Sequence, residues 1–299
     1  MRKRRGVTKD DVARWIAQGC GQGAGKTYRP FFKVRDVPSK GRSRIFLGLK
    51  FARKHHYVSD IEYLCHLLVE FCPNVIDIRE QFALLPWKET QEIARGLGYR
   101  HPTYPCSSTP TVVTSDLVVT YLKDGKPHLL VISVKRSLKI GWNDDDTLNI
   151  AESLSSREEE RTIEKLLIEK RYWDKLGIPW FLVTQQNIPL MRAENIDFIR
   201  VGMVSRELDH LNARIQDFRL AFLDCWSPER DLTDILSRIA GRFNLSENHC
   251  FHLFGRAVWL RILPVDMSGC KLDYPLPVRL LSDDEMIAKQ NLRRLPFRI

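Results

Sequence analysis

The alternation of apolar and polar residues is most regular in two runs, Thr114 to Tyr121 and His128 to Lys135, and it predicts two β-strands. The only break between the runs is the stretch 123–126, whose centre, Asp124-Gly125, is a strong hairpin signal. A turn centred there pairs residues whose numbers sum to 249. The pattern therefore predicts an antiparallel hairpin with a defined register.

This register places two charged residues on one surface of the hairpin. Asp116 falls opposite Ser133, and Lys135 lies one alternate position further along the same face. A charge among Val, Leu and Ile does not stabilise either strand, which favours a chemical role for Asp116 and Lys135. The alternative is a cross-strand ion pair on an exposed face, which contributes only about 0 to 1 kcal/mol.

The segments on either side of the hairpin predict the rest of a sheet. Before it, apolar residues at helical spacing follow Ser59, and the run from Asn74 to Phe82 alternates as a strand does. After it, a helix is predicted from Arg161 to Leu176 and a buried strand from Trp180 to Thr184. This order of elements indicates an α/β fold, in which helices flank a mixed sheet.

Acidic residues on these helices have ordinary structural explanations. Glu62 stands three residues after Ser59, the spacing of a capping box, and is expected to reach the backbone amide of Ser59. A carboxylate held in this way is also rigid enough to be aimed into a neighbouring sheet. On the later helix, Glu164 and Glu169 are expected to pair with lysines 165 and 170 at the surface.

Helices dominate beyond residue 187. Two are predicted, from Asp231 to Phe243 and from a cap at Ser246 onward, and together they resemble a helix-turn-helix. The segment from Ile262 to Leu280 is a candidate wing. Because the second helix is poor in base-reading side chains and rich in aromatic ones, docking of partner proteins suits it at least as well as DNA reading.

Composition narrows the class of protein. The 299 residues are 43% hydrophobic, which is enough for one large domain or two ordinary ones. No uncharged apolar run has membrane-spanning length and the first residues are basic, so we expect a cytoplasmic protein without a membrane partner. The seven cysteines form no Cys-x-x-Cys pair, and their odd number argues against a disulfide framework. Cys250-Phe251-His252 lacks a second ligand pair, which argues against zinc.

Positive charge is concentrated near the start of the chain. Of the 47 Lys and Arg residues, 16 lie in positions 1–57 beside three acidic residues, whereas the net charge of the whole chain is +10. Basic residues interleaved with phenylalanines are expected to grip DNA phosphates, although a solvated basic arm is the alternative. The candidate DNA contacts are Arg29, Lys33, Arg35, Lys40, Arg42, Arg44, Lys50, Arg53 and Lys54.

Several strings resemble a known enzyme family. Asp116, Ser133 and Lys135 match the Asp-(x)n-(Glu/Gln/Ser)-x-Lys pattern of the restriction-endonuclease-like nuclease core, a weak motif by itself. The longer strings are Gly21-Gln22-Gly23 with Gly25-Lys26, Val37-Pro38-Ser39 with Gly41-Arg42-Ser43, Ser59-Asp60-Ile61-Glu62, Asp77-Ile78-Arg79-Glu80-Gln81-Phe82 with Leu84-Leu85-Pro86, and Glu160-Arg161-Thr162 through Trp173 to Ile178-Pro179-Trp180-Phe181. Together they resemble the TnsA family, endonuclease subunits of heteromeric transposases of bacterial Tn-seven-like elements, over about residues 10 to 185.

The resemblance implies a metal-dependent active site. By position, the catalytic residues fall on Glu62, Asp116 and Lys135. One or two Mg²⁺ ions, or Mn²⁺, would be bound by Glu62, Asp116 and either Ser133 or the backbone of Val134. Ser133 departs from the Gln or Glu common among relatives, which weakens any claim of a third carboxylate ligand.

The resemblance also implies a biological role and a domain plan. The expected activity is cleavage of double-stranded DNA at the 5′ ends of a transposon, with a TnsB-like transposase and a TnsC-like AAA+ ATPase, at the bacterial nucleoid. The alternatives are a stand-alone restriction or defence nuclease and a DNA-binding assembly protein whose acidic residues are structural. The predicted domains are a basic segment (1–57) belonging to the catalytic domain, a catalytic core (58–187) and a helical, winged-helix-like, partner-docking domain (188–299).

Overall fold

The computed structural model describes residues 6–36, 42–136 and 156–286, together with the backbone of 140–142 and 148–150. The chain forms two compact units, one of residues 1–66 and 74–187 and the other of residues 67–73 and 188–299. In the described part of the chain, no helix is both long enough and apolar enough to cross a membrane.

The strands and helices have the following bounds. The strands are β1 (Arg44–Leu47), β2 (Lys54–Tyr57), β3 (Val75–Ala83), β4 (Thr114–Lys123), β5 (Lys126–Lys135), β6 (Ile140–Trp142), β7 (Leu148–Ile150) and β8 (Trp180–Thr184). The helices are α1 (Lys9–Ala17), α2 (Asp60–Glu70), α3 (Lys88–Gly96), α4 (Arg157–Lys175), α5 (Leu190–Met203), α6 (Ile215–Cys225), α7 (Leu232–Phe243) and α8 (Glu247–Trp259).

The first unit is built on a four-stranded mixed sheet in the order β3-β4-β5-β8. β3, β4 and β5 are antiparallel in turn, and β8 runs parallel to β5. The β4–β5 pairing runs from Leu117 with Ile132 to Lys123 with Lys126, so paired numbers sum to 249 as predicted. Asp124 and Gly125 both have positive φ, at 52° and 74°, as a tight hairpin turn with the right-handed twist of the strands requires.

Helices cover this sheet and confirm the predicted α/β architecture. On one face, α4 buries Leu166, Ile168 and Trp173 against β-strand residues such as Val118 and Val131. Its N-terminus is capped by Ser156, whose hydroxyl accepts a hydrogen bond from the Glu159 amide.

The β1–β2 hairpin is a feature that the sequence pattern did not predict. The Phe46 ring of β1 lies 4.8 Å from the Tyr63 ring and 4.9 Å from the His66 ring of α2, measured between centroids. It also stacks on His55 and Tyr57 of β2. The hairpin is therefore anchored to the helix by aromatic contacts, and residues 44–57 belong to the packed unit instead of forming a free basic arm.

The second unit is helical. Both predicted helices are present as α7 and α8, separated by Asn244 in the left-handed conformation. Asp231 and Ser246 cap them as N-terminal residues. In the described residues, the candidate wing contributes single bridges, such as Val265 with Leu280, and no strand, so the winged-helix description stays a prediction.

Candidate active site

Asp116 and Lys135 meet where β4 and β5 separate. The paired ladder stops at Leu117 and Ile132, and the Asp116 carboxylate lies just beyond this point. Its Oδ2 accepts a hydrogen bond of 2.7 Å from the Val134 amide and one of 3.1 Å from Lys135 Nζ. Lys135 Nζ also donates to the Val134 carbonyl at 2.9 Å. The carboxylate and the ammonium are thus held against one another by the backbone of β5.

Glu62 approaches the site from the first turn of α2. Ser59 Oγ donates to Glu62 Oε1 at 2.8 Å and accepts from the Glu62 amide at 3.3 Å, which agrees with the predicted cap. The amide that donates to Oε2 is that of Val58, at 3.2 Å, not that of Ser59. Because the residue is only 4% exposed, its carboxyl group has few orientations available.

The electrostatics show that Glu62, Asp116 and Lys135 share one environment. Burial and then the negative charge of Asp116 raise the pKa of Glu62 to about 7, while Lys135 opposes that rise. Burial alone would lower the pKa of Lys135, but Asp116, Glu169 and Glu62 together raise it, so its ammonium stays charged. The structure therefore brings the three predicted catalytic residues together, although 54 positions separate the first two.

Ser133 is directed elsewhere than the sequence pattern predicted. Its hydroxyl donates to Glu169 Oε1 at 2.5 Å and accepts from Trp180 Nε1 at 3.1 Å, and the residue is fully buried. The Asp116–Ser133 pair lies outside the regular ladder, because the two strands diverge before reaching it. Of the two predicted alternatives, Val134 is the residue whose backbone touches both Asp116 and Lys135.

Glu169 lies near the site and is buried, so its predicted position at the surface of α4 is wrong. It is 5% exposed and binds Ser133, so the expected surface pairing with Lys170 is wrong, and Lys170 pairs with Asp174 instead. Burial and the charge of Asp116 raise the pKa of Glu169 to about 7. The signal that pointed to burial was its place on the apolar side of α4, next to Ile168 and one turn before Trp173.

The donor set at this site fits a hard divalent cation. Glu62 and Asp116 supply carboxylate oxygens and Val134 a carbonyl oxygen, the ligand types that Mg²⁺ and Mn²⁺ prefer. Burial and then the negative charge of Asp116 raise the pKa of Glu62, and a bound cation would offset both effects. The described residues contain no group of three or more His, Cys, Asp or Glu side chains arranged to hold a metal, so backbone, water or DNA oxygens would complete the shell.

The residues predicted to contact DNA differ in how much of each side chain is exposed to solvent. Arg29, Lys33, Arg35, Arg42 and Lys54 are exposed. Arg44 and Lys50 are half-buried.

Arg44 pairs with Asp60 at 2.8 Å, and Lys50 donates to the Val75 carbonyl at 2.9 Å. The prediction for Arg53 is wrong, because its guanidinium is buried in an ion pair with Glu80 at 2.6 Å and is not available to DNA. Lys40 lies outside the described residues.

Two comparisons relate this chain to known proteins. The family described as "TnsA-like endonuclease N terminal" matches residues 72–185, a range that contains Asp116, Lys135 and Glu169 but not Glu62. The transposon Tn7 transposition protein TnsA of Escherichia coli is 38% identical to this chain over 200 residues. That alignment spans 66% of this chain and 66% of the relative, slightly less than two thirds of the relative's length. The chain belongs to the TnsA-like endonuclease family.

Proposed function

We propose that this chain is a metal-dependent DNA endonuclease that cleaves double-stranded DNA at the 5′ ends of a transposon. The observation that carries the proposal is the contact between Lys135 Nζ and Asp116 Oδ2 at 3.1 Å, beside the buried carboxyl group of Glu62. An ammonium held next to paired carboxylates suits a site that takes both a cation and an anionic phosphodiester. The relative's printed name, a transposition protein, supports the biological setting.

Each residue has a role that follows from its surroundings. Glu62 and Asp116 would hold Mg²⁺ or Mn²⁺, with the Val134 carbonyl as a further oxygen donor. When bound, the metal would supply an activated water and stabilise negative charge on the phosphate. Lys135 stays protonated, so it donates hydrogen bonds to anionic oxygens of the reacting phosphate and does not act as a base at neutral pH.

The exposed basic residues would position the DNA. Arg29, Lys33, Arg35 and Lys54 lie on the first unit and face solvent, where they can neutralise phosphates. Partnership with a TnsB-like transposase and a TnsC-like ATPase belongs to the proposal through the family relationship, with the helical second unit as the docking candidate.

Strand cleavage in a reconstituted mixture tests the proposal. Duplex DNA carrying the element's ends is incubated with Mg²⁺ and the chain, with and without the two candidate partners. Lys135→Ala is expected to reduce the cleavage rate by roughly 10²- to 10³-fold. The matched control is Lys170→Ala, which removes a lysine whose ion pair lies at the surface of α4.

The outcomes separate the possible functions. Wild-type cleavage by Lys135→Ala would overturn the proposed site. Cleavage of duplex DNA by the chain alone, unaffected by the partners, would favour a stand-alone restriction or defence nuclease. DNA binding without any metal-dependent cleavage in the complete mixture would favour a non-catalytic assembly protein.

A further inference from the structure

The regular alternation of β3 breaks at Gln81. In a regular strand, residues 79 and 82 point to opposite faces, yet the Arg79 guanidinium lies 5.0 Å from the centre of the Phe82 ring. Between them, Gln81 has a φ of 47°, in the left-handed region that a non-glycine residue rarely occupies. The flanking pairs, Glu80 with Leu117 and Phe82 with Ser115, remain in register, so the distortion is confined to one residue.

The surrounding structure holds this conformation in place. The Tyr28 hydroxyl donates to the Glu80 carbonyl at 2.9 Å, and the Phe31 amide donates to the Gln81 carbonyl at 3.1 Å. Both donors belong to residues 28–31, which bind β3, an edge strand of the four-stranded sheet. A strained conformation that neighbouring groups enforce is a feature commonly found at functional sites, where it re-aims a side chain.

The side chain that is re-aimed lies between Thr114 and Glu62. Thr114 Oγ1 donates to Gln81 Oε1 at 3.3 Å, and Gln81 Nε2 donates to Glu62 Oε2 at 3.5 Å. When Glu62 is ionised, as a ligand of a cation must be, its carboxylate accepts hydrogen bonds and cannot donate them, so the NH₂ group of the amide is the end that faces Glu62. Gln81 is 6% exposed, so water does not readily replace it as the partner of Glu62.

We propose that Gln81 is a positioning residue, which orients the Glu62 carboxyl group toward the cation and is itself aimed by the break in β3 and by Thr114. This inference rests on the proposed function, because the cation is part of that proposal. A hydrogen bond of 3.5 Å is long enough to shorten when the carboxylate becomes a ligand.

The test uses three variants of the full chain. Gln81→Leu keeps the bulk of the side chain and removes the amide. Thr114→Val removes the hydroxyl that holds the amide and leaves the unusual backbone of residue 81 unchanged. Thr120→Val is the matched control, because this hydroxyl lies on the same strand but accepts a hydrogen bond from Arg79, away from Glu62.

Two readouts are measured for each variant. The first is the shift in melting temperature caused by Mg²⁺ or Mn²⁺ alone, from which metal affinity is obtained. The second is the rate of single-turnover cleavage as a function of metal concentration. Gln81→Leu is expected to weaken metal binding by about 10- to 100-fold, the range typical of residues that orient metal ligands. Thr114→Val is expected to cause a smaller loss in the same direction, and Thr120→Val none.

The outcomes distinguish this inference from the proposed function. If the wild-type chain cleaves DNA and both Gln81→Leu and Thr114→Val bind metal and cleave as the wild type does, the positioning role is overturned and the nuclease assignment stands. If Gln81→Leu fails to fold, the Thr114→Val result decides alone. If the wild-type chain shows neither metal binding nor cleavage in the complete mixture, the proposed function fails and this inference fails with it.

Discussion

Replacing Glu80 with alanine should severely destabilise the first unit. The Glu80 carboxylate is fully buried and accepts hydrogen bonds from Arg53 Nη1 at 2.8 Å and Arg53 Nη2 at 2.6 Å. Its Oε2 lies 3.0 Å from His55 Nδ1, and its Oε1 accepts from the His56 amide at 3.2 Å. Glu80→Ala would leave the Arg53 guanidinium buried without its counter-ion.

The magnitude follows from this burial. Removing one partner of a buried, hydrogen-bonded ion pair typically lowers stability by about 3 to 5 kcal/mol. For a unit of this size, that corresponds to a melting temperature lower by roughly 6 to 20 °C. By contrast, Asp174→Ala removes a helix-surface pair with Lys170 and should lower stability by less than about 0.5 kcal/mol.

Chemical denaturation followed by circular dichroism measures both variants at neutral pH. A loss below about 1 kcal/mol for Glu80→Ala would refute the reasoning, because it would mean that solvent or another group neutralises Arg53. The pH dependence of the contribution from His55 and Glu80 gives a second check of the same network.

The pH dependence has a definite sign. Burial lowers the pKa of His55 to about 4, so the unfolded chain binds more protons than the folded chain as the pH falls below about 6.5. For Glu80, burial alone would raise the pKa, but hydrogen bonds from His55 and Arg53 outweigh it and hold the pKa well below its usual range. The contribution of His55 and Glu80 to stability should therefore decrease from about pH 6.5 downward, and more steeply below about pH 4.5. Glu62 and Glu169, whose pKa values are raised to about 7, contribute in the opposite direction between about pH 7 and pH 4.5.

Three further predictions concern the hairpin, the site and the DNA contacts. Gly125→Ala should lower stability by about 1 to 2 kcal/mol in denaturation experiments, because residue 125 has a φ of 74°; an unchanged stability would contradict this. Asp116→Asn should lower the pKa of Glu62 from about 7, measured by NMR titration without metal, because it removes a repelling charge; a constant pKa would show that burial alone sets it. Arg29→Ala with Lys33→Ala should make the slope of log affinity against log salt shallower by roughly 2, and an unchanged slope would exclude both as phosphate contacts.

The local signals in the sequence were sufficient for the central elements. Asp124-Gly125 fixed the β4–β5 register, and the apolar run from Trp180 to Thr184 matches β8. In both cases, the information lies within a few residues: a turn that accepts positive φ, or a continuous apolar stretch.

The features that the sequence pattern missed depend on distant partners. The sequence around Arg53 predicts an exposed basic residue, because its partner Glu80 lies 27 positions later in the chain. The sequence around Glu169 predicts an acidic residue at a helix surface, because its partner Ser133 lies on a strand against which α4 packs. The left-handed conformation of Gln81 could not be predicted from the sequence, because the residue is not a glycine. Hydrogen bonds from neighbouring residues enforce this conformation.

The structure also changes how DNA binding should be tested. Deleting residues 1–57 would remove Arg53 and Tyr28, which bind Glu80 and its carbonyl. It would also remove the aromatic contacts of Phe46 with α2. A loss of DNA affinity after such a deletion would reflect unfolding, so substitution of exposed residues is the cleaner experiment.

Anomalous scattering from crystals of the chain grown with Mn²⁺ is the most direct test of the shared metal site. We expect a peak in contact with carboxylate oxygens of both Glu62 and Asp116, and we expect its loss in Asp116→Ala crystals grown under the same conditions. A Mn²⁺ peak bound to only one of these residues, or a fully loaded site that survives Asp116→Ala, would contradict the claim that α2 and β4 build one catalytic centre.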